Sequence, residues 1–112
     1  MRLKTEIWVG AFLRRWQSVG QYGAVIHKGA PEAGAVFVVV NHLDGTFHLF
    51  GPAPGSAYDE DGERRWIEEL PFPATQEQID LLLARRRAFD LDIWIVEIED
   101  RTGTAGLHAV EE

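Results

Sequence analysis

Cysteine is absent from this sequence. That removes structural disulfides, a thiolate nucleophile and every cysteine-based zinc or iron–sulfur site. It also fits a reducing compartment. Long apolar runs are lacking too. Stretches such as Ala35–Val40 and Leu81–Ala84 fall far short of the ~20 residues that a membrane helix needs. Near the start, Glu6, Arg14 and Arg15 follow Arg2 and Lys4 and interrupt any apolar region of a signal peptide. A cytoplasmic address without a membrane partner is predicted. Positive charge is scarce: 11 Lys and Arg face 18 Asp and Glu, a net charge of −7. Such a field repels phosphate backbones and anionic lipid, so nucleic acid is not an expected partner. Catalytic motifs are missing as well. There is no G-x-S-x-G, no G-x-G-x-x-G after a strand and no phosphate-binding G-x-x-x-x-G-K-S/T loop, and the only serines, Ser18 and Ser56, lack motif context.

Hydrophobic residues make up 46% of the 112, which supports one domain with a real core. Val9, Phe12, Leu13 and Trp16 recur at the spacing of one helical face, predicting a first helix over Thr5–Ser18 with Thr5 as its cap. Tyr22–His27, Ala35–Asn41 and Thr46–Phe50 read as strands, and Arg65–Leu70 as a fourth that Pro71 and Pro73 end. Thr75 and Gln78 form a capping box that opens a second helix, with Ile79, Leu82 and Leu83 as its buried stripe. Asp92–Glu99 is the last strand, and from Thr102 the composition predicts a weakly ordered tail. The fold class is therefore α+β, a mainly antiparallel sheet of about five strands with two helices in the order α-β-β-β-β-α-β. Residues 1–101 form a single domain, and 102–112 the tail.

Asp44-Gly45 is a strong hairpin signal. A two-residue turn there sets Asn41 opposite His48 and Val40 opposite Leu49. One face then collects Phe37, Val39, Asn41, His48 and Phe50, and the other Val36, Val38, Val40, His42, Phe47 and Leu49. Both faces are apolar, so both need cover. Either a second subunit closes an open face, giving a homodimer through the sheet, or one helix lies on each face of a monomer.

Candidate chemistry is thin. His42 and His48 fall on opposite faces in this register, so they share no metal, and no metal or cofactor site is predicted. Asp59-Glu60-Asp61-Gly62 invites a calcium loop, but the first ligand position is Ala57, which offers no side-chain oxygen. Arg64-Arg65-Trp66 is suited to anions or stacked bases, yet Asp59 to Glu63 and Glu68-Glu69 surround it. Glu97 and Glu99 read as the wet side of an edge strand. The residues singled out for a ligand are Asn41, His48, Arg64, Arg65 and Trp66, at the sheet end beside loop 51–62.

Several strings act together: Arg2–Val9 with Leu13-Arg14-Arg15, Ala33–Asn41, Leu43-Asp44-Gly45, Gly51-Pro52-Ala53, Arg64-Arg65-Trp66 and Asp92–Arg101. In combination the chain resembles a bacterial family known as domain of unknown function 1491. The resemblance implies a bacterial origin and a stand-alone domain, and it carries no catalytic residues with it. A non-enzymatic binding or accessory domain that associates through its sheet is one expectation. The other is a small-ligand protein, or an unfamiliar enzyme, with its site near residues 51–66.

Overall fold

The structure, a computed structural model, describes residues 3–110. Met1, Arg2, Glu111 and Glu112 lie outside the described residues, and with them the first residue of the opening string and the acidic end of the tail. The elements follow the anticipated order: α1 (Thr5–Ser18), β1 (Gly23–His27), β2 (Val36–Asn41), β3 (Phe47–Pro52), β4 (Trp66–Glu68), α2 (Gln76–Phe89) and β5 (Trp94–Glu99). The strands form one sheet in the spatial order β1-β5-β2-β3-β4. Three pairings are antiparallel, while β5 runs parallel to β2, so this α+β sheet is mixed rather than purely antiparallel.

Connection length explains the parallel pair. β2, β3 and β4 are a meander, but β4 reaches β5 through α2, and a helical crossover is the usual way to set strands parallel. β5 enters between β1 and β2, so Glu97 and Glu99 sit on an interior strand rather than an edge. Residues 28–35 carry the chain past the end of β5. The crossing is tight: Ala30 N donates to Asp92 O at 2.9 Å, and Trp94 Nε1 to Ala30 O at 2.7 Å. A Cβ on Gly29 would collide with the carbonyls of Asp92 and Ile93. Glycine is needed there for close approach of two backbones.

The same crossing caps α1. Thr5 N and Glu6 N donate to Glu32 O (3.1 Å) and Pro31 O (2.9 Å), which meets the helix's first orphan donors. Thr5 is thus the first helical residue and not the cap; Lys4 holds that position without a side-chain bond. The buried Thr5 hydroxyl instead donates to Gly34 O (3.0 Å) and accepts from Arg64 (2.9 Å). At α2 the capping box forms as read, with Gln78 N donating to Thr75 Oγ1 and Thr75 N to Gln78 Oε1.

β2 and β3 pair one residue away from the expected register. Val40 faces His48, Val39 faces Leu49 and Val38 faces Phe50. The connection is Leu43-Asp44-Gly45, closed by His42 N donating to Thr46 O at 3.1 Å. A two-residue type I′ turn would need positive φ at Asp44 and Gly45; the positive angles are at Leu43 (63°) and Gly45 (89°). Side chains hold this longer loop. Leu43 N donates to Asn41 Oδ1 (2.8 Å), and the Thr46 N–H and hydroxyl donate to Asp44 Oδ1 (2.9 and 2.6 Å).

That shift moves the β3 side chains to the opposite faces. Val36, Val38, Val40, Phe50, Trp94, Val96 and Ile98 now pack with Val9 and Phe12 of α1. Phe37, Val39, Phe47, Leu49, Ile93 and Ile95 pack with Ile79 and Leu83 of α2. One helix lies over each face, so the two-sided apolarity is answered within a single chain. Residues 102–110, expected as a weak tail, lie on the α1 side. Ala105 and Leu107 are buried in that core, and Val110 N donates to Trp66 O at 2.7 Å. Two small anchors in a glycine-rich stretch give no periodic signal, which is why composition alone reads this segment as loose.

Candidate functional site

After β5 the chain turns at Asp100, which is buried. Its carboxylate accepts the N–H groups of Thr102 (3.3 Å), Gly103 (3.1 Å) and Ala105 (3.1 Å). Asp100 N donates to Asn41 O at 3.0 Å. This carboxylate folds the C-terminal segment back across the α1 side, where it borders several clefts. Residues 105–108 line one, residues 101–104 a second, and Arg101 and Thr102 also face a hollow beside Gly20–Tyr22.

The first cleft, about 310 Å³, has Trp8, Arg64, Trp66 and Leu107 among its walls. The Trp8 ring stacks on Phe12 at 4.9 Å and tilts against Trp66 at 5.6 Å. Arg64 lies between rings, 5.1 Å from Trp8 and 5.2 Å from Tyr58, and donates one N–H to Thr5. Burial lowers the Arg64 pKa below its usual value and Tyr58 opposes that shift, but a guanidinium stays charged. None of the ion pairs among the described residues involves Arg64. Arg15 and His108 also line the cleft, against Glu63. In a chain of net charge −7, this is a cationic, aromatic-walled hollow.

The second cleft, about 320 Å³, is built on the hairpin end. His42 Nδ1 donates to Asp100 O at 2.6 Å, so in the neutral ring Nε2 carries the lone pair; that atom is buried and has no partner among the described residues. His48 Nδ1 pairs with the Glu68 carboxylate. The His48 ring lies 5.1 Å from His42 and stacks on Phe72 at 4.1 Å and on Phe50 at 5.7 Å. Phe72 is half exposed. Arg101, exposed and in no ion pair among the described residues, stands at the rim.

The model of a family described as a protein of unknown function, DUF1491, matches residues 3–108. The chain belongs to this family. The matched span holds both clefts, from Trp8 to His108. The solution structure of protein Atu0922 from A. tumefaciens is similar, with 44% identity and a TM-score of 0.81 over 100% of this chain and 98% of that one. The crystal structure of a DUF1491 family protein from Caulobacter crescentus CB15 shares 38% identity and a TM-score of 0.80 over all of both chains. An NMR structure of a DUF1491 protein from the same organism shares 40% identity and a TM-score of 0.76, over 100% of this chain and 99% of that one. No curated protein matches the chain.

Within this DUF1491 fold the sequence-predicted residues separate. Arg64 and Trp66 meet in the first cleft, and His48 lies in the second. Asn41 points to the other sheet face, where its Nδ2 donates to Glu97 at 3.4 Å, so its pairing with His48 is corrected by the register. Arg65 donates to Ser56 O at 3.0 Å and lines neither cleft. His42 and His48, assigned above to opposite faces, share one. The acidic loop is a turn: Asp59 Oδ1 accepts from Asp61 N and Glu63 N. Among the described residues no group of three or more His, Cys, Asp or Glu side chains is placed to hold a metal ion, and no helix is long and apolar enough to cross a membrane.

Sequence reasoning missed Trp8, Glu68, Phe72, Asp100 and Arg101. Trp8 reads as a broadening of an apolar helix face, and no spacing links Glu68 or Phe72 to His48. Asp100 did leave a trace, because Asp two residues before a Thr-Gly pair favours a side-chain-to-backbone turn.

Proposed function

We propose that the chain is a non-enzymatic, small-ligand-binding domain of the bacterial cytoplasm, and that its ligand is a small anion with a flat apolar part. The Trp8–Arg64–Trp66 cleft is the seat. The observation that carries this reading is Arg64: a guanidinium held between two aromatic rings, tied to a buried threonine, and given no carboxylate partner among the described residues. A fork of donors fixed in this way suits a planar carboxylate or a phosphate better than a mobile lysine would. Trp8 and Trp66 offer apolar wall to the rest of the ligand, and about 310 Å³ falls at the small end of the roughly 300–1,000 Å³ usual for ligand sites. Association of two copies through the sheet has less support, because α1 and α2 already lie over its two faces.

Titration of the full chain with benzoate, indole-3-acetate, indole and AMP, followed by tryptophan fluorescence and amide shifts, tests the reading. The anionic aromatics bind saturably, neutral indole binds at least about tenfold more weakly, and Arg64→Lys removes most of the difference. Equal binding of indole and indole-3-acetate, or no saturable binding by any anion, would overturn it.

A further inference from the structure

We propose that the second cleft binds a small polyhydroxylated anion, a sugar phosphate or a sugar acid, independently of the Arg64 site. Three features of its wall point to that chemistry.

The first is a pair of hydrogen-bond acceptors. His48 gives its Nδ1 to Glu68, and His42 gives its Nδ1 to the Asp100 carbonyl. In its neutral form each imidazole then presents Nε2 as a lone pair. Nε2 of His42 is a buried atom with no partner, on a residue only 8% exposed. A buried acceptor left in this state is costly unless something donates to it. Nε2 of His48 makes no hydrogen bond among the described residues and is not among their buried orphan atoms. Two such nitrogens on rings 5.1 Å apart suit a ligand with more than one hydroxyl.

The second is an aromatic platform. Phe72 stacks on His48 through one face at 4.1 Å, yet stays 49% exposed while lining the cleft. An exposed ring beside hydroxyl acceptors suits the C–H face of a sugar. The third is charge. Arg101 has no ion-pair partner among the described residues, and the Thr102 side chain lines the same cleft, while the Thr104 hydroxyl donates to Leu107 O at 2.8 Å. A guanidinium at the rim with a hydroxyl in the same wall fits a terminal phosphate or carboxylate. Asp44, on the same wall, works against an anion placed near the hairpin tip, which assigns the anionic end to the Arg101 side.

The test is an amide-shift titration of the full chain with glucose-6-phosphate, gluconate, glucose and inorganic phosphate in turn, reading Leu43–His48 and Arg101–Thr104. At least one polyhydroxy anion should bind saturably at these positions, and which one binds tighter identifies the anionic group. Glucose and inorganic phosphate should each bind at least about tenfold more weakly than that anion. Arg101→Ala and His48→Ala should each weaken the anion by about tenfold or more. Arg64→Ala should leave it unchanged, which separates failure here from failure of the first-cleft reading. Arg101 is exposed, so its variant keeps the native spectrum. The proposal is overturned by an absence of saturable shifts with both anions, by inorganic phosphate binding as tightly as either, or by binding that survives both substitutions.

Discussion

Replacing Asp100 with alanine removes one side chain and strips three backbone donors at once. Its Oδ1 accepts from Thr102 and Gly103 at 3.3 and 3.1 Å, both part-buried, and its Oδ2 accepts from Ala105 at 3.1 Å in a buried position. Hydrogen bonds to a charged group contribute about 1.5–3 kcal/mol each. The two part-buried bonds, open to water, fall below that range at about 0.5 kcal/mol each, and the buried one lies within it at about 2 kcal/mol. A total of about 3 kcal/mol is expected, corresponding to a fall in Tm of roughly 12 °C for a domain of this size. Asp100→Asn keeps one acceptor oxygen and should lose about half as much. Thermal and urea unfolding followed by circular dichroism gives the loss. Limited proteolysis gives its location, since Ala105 and Leu107 leave the core when the turn opens and cleavage should appear between residues 101 and 106. A loss below about 1 kcal/mol with that stretch still protected would show that Ala105 and Leu107 hold the segment without the carboxylate, and would refute the reasoning.

Asp44 gives a pH signature. The Thr46 hydroxyl, and then the Thr46 N–H, hold its carboxyl below the usual 3.8. Its contribution is therefore complete above that value and lost as pH falls through the lower folded value. The stability gap between wild type and Asp44→Asn should be flat from neutral pH to about pH 5 and close below about pH 4 in acid titrations. Gly29→Ala drives a methyl into the Asp92 and Ile93 carbonyls, and should cost about 2–3 kcal/mol in urea midpoints; a neutral result would mean that the 28–35 crossing yields easily. Thr5→Val leaves Gly34 O without its hydroxyl donor and Arg64 without its anchor. It should cost about 1–3 kcal/mol and weaken anions at the first cleft while sparing the second, as read by unfolding and by the two titrations.

Elements with a strong local cause were legible in the sequence. α1 was read with its observed bounds because Val9, Phe12 and Trp16 share one stripe, and α2 announces itself through the Thr75–Gln78 box. The fold class and element order follow from the same patterns. Placement was legible only where neighbours in sequence are neighbours in space. Nothing local to Trp94–Glu99 distinguishes an edge strand from one inserted between β1 and β2; that choice is made by the glycine crossing at 28–35 and the reach of α2. The first cleft was half visible, because Arg64 and Trp66 are adjacent in the chain. Trp8, a helix residue packed against them, was hidden by distance along it.

The second cleft shows how much can rest on one residue of loop length. Asp44-Gly45 is the stronger turn signal in isolation, and it implies two central residues with positive φ. Asp44 instead spends its carboxylate on Thr46, and Leu43 takes the left-handed angle while Asn41 accepts its N–H. The extra residue carries His48 to the face of His42, and Phe47 and Leu49 to the α2 core. Two consequences follow together. Both sheet faces become apolar patches matched to one helix each, which removes the argument for a second subunit from hairpin composition. The two histidines meet beside Glu68 and Phe72, which creates the only paired imidazoles among the described residues. Closing the loop to two residues by pairing Leu43 with Thr46 would carry His48 to the far face under α2 and draw Phe47 and Leu49 out of the α2 core. Deleting Leu43 instead leaves His42 opposite Thr46, so Val40 should still face His48. The apolar side chains of Phe47 and Leu49 thus hold the register, and the histidine pair is carried by it.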